Sequence, residues 1–185
     1  SWAGCSAAAE AVKLSYSFAT YGYSSSQRFS RPSGVFYDTT RGELYVADSG
    51  NGQIVILDKK GIGIAKIPHS VIDATSGDRR PGEPRSVAVR KNGDILVADN
   101  QCAYLDVLDF RGHSIDKIWP GDLVGQPKSK VQTRCVAVDT AGNVYLGVSG
   151  CGTEILVLTP DLKLKTKMGV ESTGESKGVT GLWVD

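Results

Sequence analysis

Asp48 and Asp99 are the acidic residues whose spacing most invites a chemical reading. Each closes a short apolar run, LYVAD or ILVAD, and the two recur at an interval of about fifty residues. Carboxylates at matching ends of neighbouring strands have two uses. They can line a central opening as ligands for a polar molecule or a divalent ion such as calcium. Alternatively, each caps its own turn by accepting backbone N–H groups from the Ser-Gly-Asn or Asn-Gln-Cys that follows. Turn capping is the stronger reading, because a third copy of the phrase has Val148-Ser149 in that place. Asn51 and Asn100 are turn residues by the same logic, tolerant of positive φ.

The other reactive residue types are sparse. Only His69 and His113 occur, with no His-x-His or His-x₃-His spacing, which argues against zinc. His113 reads as a solvated edge residue. His69, beside Pro68 at the start of a long connection, is the less ordinary of the two. Cys102, Cys135 and Cys151 show no C-x-x-C pattern, which argues against redox, zinc-ribbon and haem-attachment roles. In an exported protein a disulfide among them would tie a strand start to a turn. Cys135–Cys151 is the first pairing and Cys102–Cys135 the second, weighed equally against unpaired thiols. No Ser/His/Asp arrangement can be read from the spacing, so no catalytic residue is assigned. Arg79 and Arg80 form one basic cluster and Lys128 with Lys130 another; Lys163, Lys165 and Lys167 alternate along a strand whose edge they protect. Trp119 and Tyr104 read as packing residues.

The elements that position these residues are short strands. GVFYD, ELYVAD and QIVILD are β-branched and aromatic runs separated by TTRG and SGNG, the pattern of antiparallel strands joined by tight turns. EPRSVAVRKNGDILVADNQCAYLDVLD repeats it, as does TRCVAVDTAGNVYLGVSGCGTEILVLTPD. Several strands per repeat, at a period near fifty, predict a β-propeller. The expected strands are 34–38, 43–47, 53–58 and 61–67; then 86–90, 94–98, 104–109 and 113–119; then 134–138, 143–148, 154–159 and 162–168. Strand parity sends TTRG, RKNG, DTAG and the third-to-fourth turns to one face. SGNG, NQCA and SGCG go to the other face, with the long connections 68–83, 120–132 and 169–180. Binding concentrates where long loops sit on a rigid scaffold, so any site is expected on this loop-rich face. Its candidate residues are Asn51, His69, Arg79, Arg80 and Asn100.

The phrase P-x-G-V-x-x-D, followed by G-x-L-Y-V-A-D-S-G-N and Q-I-V-I-L-D, resembles the NHL repeat of six-bladed propellers. The second copy departs at Asn100-Gln101-Cys102, and the third at Gly147-Val148-Ser149. The resemblance implies an all-β propeller segment of four-stranded antiparallel blades, three whole and two partial. Blades are expected at 34–83, 84–132 and 133–177. Residues 12–33 would supply an outer strand and loop of a preceding blade, and 178–185 the first strand of a following one. The remaining blades would come from a longer chain or a second copy.

Composition sets further bounds. The 22 glycines in 185 residues suit a fold made of hairpins, and a net charge of +1 gives no global attraction to nucleic acid or anionic membrane. No apolar run is long enough to span a bilayer. Residues 1–11 are rich in small side chains, and Ala3-Gly4-Cys5 resembles a lipoprotein processing site with Cys5 as the lipidated residue and the only link to a membrane. The expected role is a non-catalytic, extracytoplasmic platform for a protein partner or small ligand, without a resident cofactor. The resemblance also leaves open a metal-dependent propeller lyase or lactonase with its catalytic residues mostly in other blades. An RNA-binding NHL propeller is the third reading.

Overall fold

The computed structural model describes residues 16–73, 76–152, 155–169 and 179–184. A hairpin of β1 (Gly22–Ser24) and β2 (Gln27–Arg28) comes first. The first four-stranded sheet is β3 (Pro32–Asp38), β4 (Glu43–Asp48), β5 (Gln53–Asp58) and β6 (Gly63–Pro68). A second hairpin, β7 (Ser70–Ile72) with β8 (Arg79–Pro81), lies in the connection to the next sheet. That sheet is β9 (Pro84–Val89), β10 (Ile95–Asp99), β11 (Leu105–Leu108) and β12 (Ser114–Ile118). One helical turn, α1 (Pro120–Val124), leads to the third sheet. Its strands are β13 (Gln132–Val138), β14 (Val144–Ser149), β15 (Ile155–Leu158) and β16 (Leu164–Met168).

Each sheet is an antiparallel meander, the propeller blade expected from the repeats. The helical turn replaces no blade strand. Pro120 starts it, and Gly125 closes it at φ 71. The described part of 12–33 differs from the outer strand expected there. It forms the β1–β2 hairpin, with Tyr23 and Phe29 packed on Val46, Val55 and Leu57 of blade one. The connection 68–83, expected as loop, contains β7 and β8. Residues 179–184 have no strand assignment, and the Val179 carbonyl meets Cys135 of β13.

Period-two alternation builds the core. Along β10, Ile95 and Val97 face blade one, whereas Leu96 and Ala98 face blade three. The first interface gathers Tyr45, Ala47, Ile54, Ile56 and Ile67 with Val87, Val89 and Leu108. Leu105 and Val107 join Val144, Leu146, Leu156 and Leu158 in the second. The inner strands approach closely. A Cβ on Gly34 would lie 2.6 Å from the Arg85 carbonyl, so the small residue in the SGV phrase permits the approach. Ser86 Oγ accepts from the Val136 N–H at 3.2 Å and ties blade two to blade three.

The short-turn face repeats one device. Asp38, Asp58, Asp109 and Asp139 each accept backbone N–H groups from their own turn through Oδ1. Each pKa is held below the ordinary carboxylate value, as at Asp38. There burial opposes ionisation, but the Arg41 guanidinium at 2.6 Å and two backbone N–H groups favour it.

Candidate ligand cleft and its buried histidine

Asp48 closes β4 with no exposure to solvent. Its Oδ1 accepts the Ser30 N–H at 2.7 Å, and its Oδ2 accepts the side-chain amides of Asn51 (2.7 Å) and Gln53 (2.9 Å). The carboxylate therefore satisfies the turn and the incoming connection. Every partner is an N–H donor, the surroundings of an anion and not of a cation. The ion-ligand reading of Asp48 finds no support in this arrangement. Among the described residues no group of three or more His, Cys, Asp or Glu is placed to hold a metal.

Asp99 occupies the matching end of β10, equally buried, and keeps the turn bond by accepting the Gln101 N–H at 2.7 Å. The other partner is new. His69 Nδ1 lies 2.8 Å from Asp99 Oδ2, and His69 Nε2 lies 3.2 Å from Asp106 Oδ2. Asp106 Oδ1 accepts the Ser114 hydroxyl at 2.5 Å. His69 and both aspartates are almost fully buried. Burial opposes protonation of His69. The bonds to Asp106 and Asp99, with the charges of both carboxylates, outweigh it and raise the pKa to about 9. An imidazolium thus lies between two carboxylates at the interface of blades one and two.

The backbone of His69 is pinned as well. Its N–H donates to the Gly52 carbonyl at 2.8 Å, and its carbonyl accepts the Gly82 N–H at 3.0 Å. Gly82 must be small, because a Cβ there would fall 2.6 Å from His69 Nδ1 and 2.5 Å from Asp99 Oδ2. One residue therefore fastens both ends of the β7–β8 connection to the blades.

Against that connection lies a cleft of about 970 Å³. Ile72, Asp73 and Arg80 form one wall, the turn 100–103 another, and Trp119 with Lys128 and Gln132 the third. All three walls are the connections and second-to-third turn that parity sends to the loop-rich face. The Tyr104 and Trp119 rings meet at 4.9 Å between centroids, tilted by 57°. Lys117 Nζ stands 5.5 Å from the Tyr104 ring, and Lys128 Nζ stands 5.0 Å from the Trp119 ring. The Tyr104 hydroxyl accepts the Ile72 N–H at 3.1 Å. Tyr104 is buried as a packing residue should be, whereas Trp119 is half-buried and lines the cleft.

The NHL repeat profile matches residues 29–57, the stretch that forms β3 to β5. The chain carries an NHL repeat on the blades of a β-propeller. It is 33% identical over 97 residues to NHL repeat-containing protein 2 of Bos taurus, a match over 48% of this chain and 13% of that protein. Among solved structures it resembles a streptogramin B lyase, with TM-score 0.53 and 18% identity over 77% of this chain and 42% of the lyase. A catalytically inactive virginiamycin B lyase of Staphylococcus aureus, solved with quinupristin, gives TM-score 0.52 and 10% identity at the same coverage. These likenesses establish the fold. The chain spans well under half the length of the relatives it matches.

Within this propeller the remaining candidate residues scatter. Asn51 sits in the 3₁₀ turn Ser49–Asn51 and also donates to the Arg28 carbonyl. Asn100 is exposed, and its N–H donates to the Glu83 carbonyl. Arg79 is exposed beside a smaller cavity near His69, while Arg80 reaches the cleft. His113 is exposed, 3.2 Å from Asp109. No disulfide joins Cys102, Cys135 and Cys151 to one another, the arrangement weighed equally with the two pairings. The reason is direction. The Cys102 thiol donates to the Tyr104 carbonyl at 3.4 Å, and that of Cys135 points toward Gly147 and the Val179 carbonyl at 3.7 Å. Cys5 lies outside the described residues.

Asp106 and Ser114 escaped the sequence reading. The signal was available in register. Asp106 pairs with Val97 as Val55 pairs with Val46, so an acid stands where blade one has valine. A charge in the middle of a third strand implies a buried partner.

Proposed function

We propose that this NHL propeller is a non-catalytic, extracytoplasmic binding platform, with the cleft between the 68–83 and 120–132 connections as its recognition site. One observation carries the reading. The buried candidates for nucleophile or base, Cys102, Tyr104 and Asp99, are committed elsewhere, and Asp73 in the cleft wall is paired with Arg80 and accepts the Ser76 N–H. Burial pushes the Cys102 thiol up to about 12, reinforced by the Asp99 charge, so the thiolate is absent at neutral pH. Burial likewise raises the Tyr104 hydroxyl well above the ordinary tyrosine range. Asp99 is spent on His69 and Gln101. What remains open to solvent is aromatic surface with cations around it, which suits recognition better than turnover.

Other blades of a longer polypeptide, or a second copy, would complete the ring. The exposed Val35 and Tyr37 of β3 support that reading. Ala3-Gly4-Cys5 supports the extracytoplasmic setting, which the intact mass of the natural protein tests through lipid on Cys5.

The test pairs an activity assay with a binding map. Incubation with quinupristin, followed by mass spectrometry, is expected to leave it intact; cleavage would establish the lyase alternative. A fragment screen followed by amide NMR shifts is expected to cluster hits around Arg80, Tyr104 and Trp119. Hits confined to the inner strands would move the site to the propeller axis.

A further inference from the structure

The cleft's charges and rings specify a class of occupant. Among the described residues three cations line it, Arg80, Lys117 and Lys128, against one carboxylate, Asp73. Each cation has a protein partner, and Arg80 has several. Arg80 donates to the Gln101 carbonyl at 2.8 Å and to Gln101 Oε1 at 3.0 Å, and lies 3.6 Å from Asp73. Lys117 donates to Ser114 Oγ at 2.9 Å. Lys128 lies 3.4 Å from Asp122. Cations held beforehand lose less freedom when an anion arrives. Between them the Trp119 ring offers a partly open apolar face backed by Tyr104.

A cleft near 970 Å³ is large for a single aromatic acid, being at the upper end of the range that encloses a drug-sized ligand. It is a trough between two connections and not a closed pocket. We infer that it receives an acidic peptide segment, with an aromatic side chain on Trp119 and flanking carboxylates on Lys117, Lys128 and Arg80. The inference deepens the binding-platform reading and rests on it. A nucleic acid fits less well. Its backbone calls for a longer track of basic residues, whereas Asp73 and Asp122 stand among these three and the chain carries only +1 overall.

The experiment uses the chain with four fluorescein-labelled probes and reads anisotropy. The probes are the peptides Glu-Phe-Glu-Phe-Glu, Glu-Ala-Glu-Ala-Glu and Lys-Phe-Lys-Phe-Lys, each labelled at the N-terminus and amidated at the C-terminus, and a short 5′-labelled oligothymidylate. The acidic aromatic peptide is expected to bind at least tenfold more tightly than the other three. Trp119→Ala should weaken it at least tenfold, and Lys117→Gln several-fold. Because Trp119 also packs, circular dichroism checks the fold, and the surface variant Lys128→Gln gives a second reading without disturbing the core. Raising salt should weaken binding further, since the ion pairs are partly exposed.

Tighter binding of the basic or alanine peptide, with sensitivity to Trp119→Ala retained, would overturn the ligand class and leave the binding platform standing. Tighter binding of the oligothymidylate would assign the cleft to nucleic acid. Peptide binding indifferent to Trp119, Lys117 and Lys128 alike would overturn both the class and the location of the site.

Discussion

The charge on His69 is expected to make stability fall as pH rises through mild alkali. In the unfolded chain the imidazole titrates near 6.5, whereas in the folded protein the pKa is about 9. A group whose folded pKa is raised contributes fully below the unfolded value, and its contribution disappears as pH climbs through the folded value. At about 1.36 kcal/mol per pKa unit, the interval corresponds to ~3 kcal/mol, a large part of a typical domain's stability. Urea unfolding measured across pH 6 to 10 should show that loss in the wild type. His69→Gln removes the titration, so its curve should be flatter, and the difference isolates His69 from Cys102, which also loses stability in alkali. Should His69→Gln fail to fold, two measurements on folded protein remain. Ring-nitrogen NMR of wild-type His69 reads the pKa directly, and Asp106→Asn, by removing one carboxylate, should lower it. A wild-type His69 that titrates at or below 6.5 would refute the buried imidazolium, and so would parallel curves for wild type and His69→Gln.

Three further perturbations probe the frame. Gly82→Ala places a methyl group against His69 Nδ1 and Asp99 Oδ2, so it should destabilise the chain by about 1–3 kcal/mol and lower the His69 pKa, read by the same NMR titration. Asp48→Ala strips one backbone and two side-chain donors of their acceptor; urea unfolding should show a loss of about 2–4 kcal/mol, more than at any exposed turn aspartate. Asp38 has a depressed folded pKa, so its contribution is present above the unfolded value near 3.8 and lost as pH falls below it. Asp38→Asn should accordingly reduce the acid sensitivity of unfolding between about pH 5 and 2.

The blades were legible because they obey local rules. Turns such as TTRG and RKNG, alternation along ILVAD, and the recurrence of whole phrases each depend on residues close in sequence. The loop-rich face followed from strand parity alone, and the cleft lies on it. Its occupants were not legible. His69 meets Asp99 and Asp106 across an interface of two blades, and no spacing rule links a connection to the middle of a third strand. Residues 70–72 and 79–81 do not stand out as strands in the sequence, because two strands of three residues carry little periodicity. The direction of the thiols is illegible for a related reason. Proximity on one face does not set the direction of a Cβ, and Cys102 turns inward beneath Tyr104.

Comparing equivalent strand ends shows how the repeat was adapted. Blade one satisfies Asp48 with a backbone N–H and two amides, all neutral donors from residues of its own turn or the preceding connection. Blade three has Ser149 there, accepting from Arg134 Nε at 2.9 Å. Blade two alone of the three brings in an imidazole, and it does so from the connection that forms a cleft wall. The substitution is coupled. Asp106 in place of an apolar residue would be costly without His69, and His69 would be costly in that interface without its carboxylates. Placing a charged triad in an apolar interface adds little net stability over leucine and valine. What it adds is a fixed position for a long connection, held from both ends at a single residue. The walls of a recognition cleft need that position to keep Arg80 and Ile72 at their distances from Gln101 and Tyr104. Deprotonating His69 should therefore loosen the cleft before it unfolds the blades.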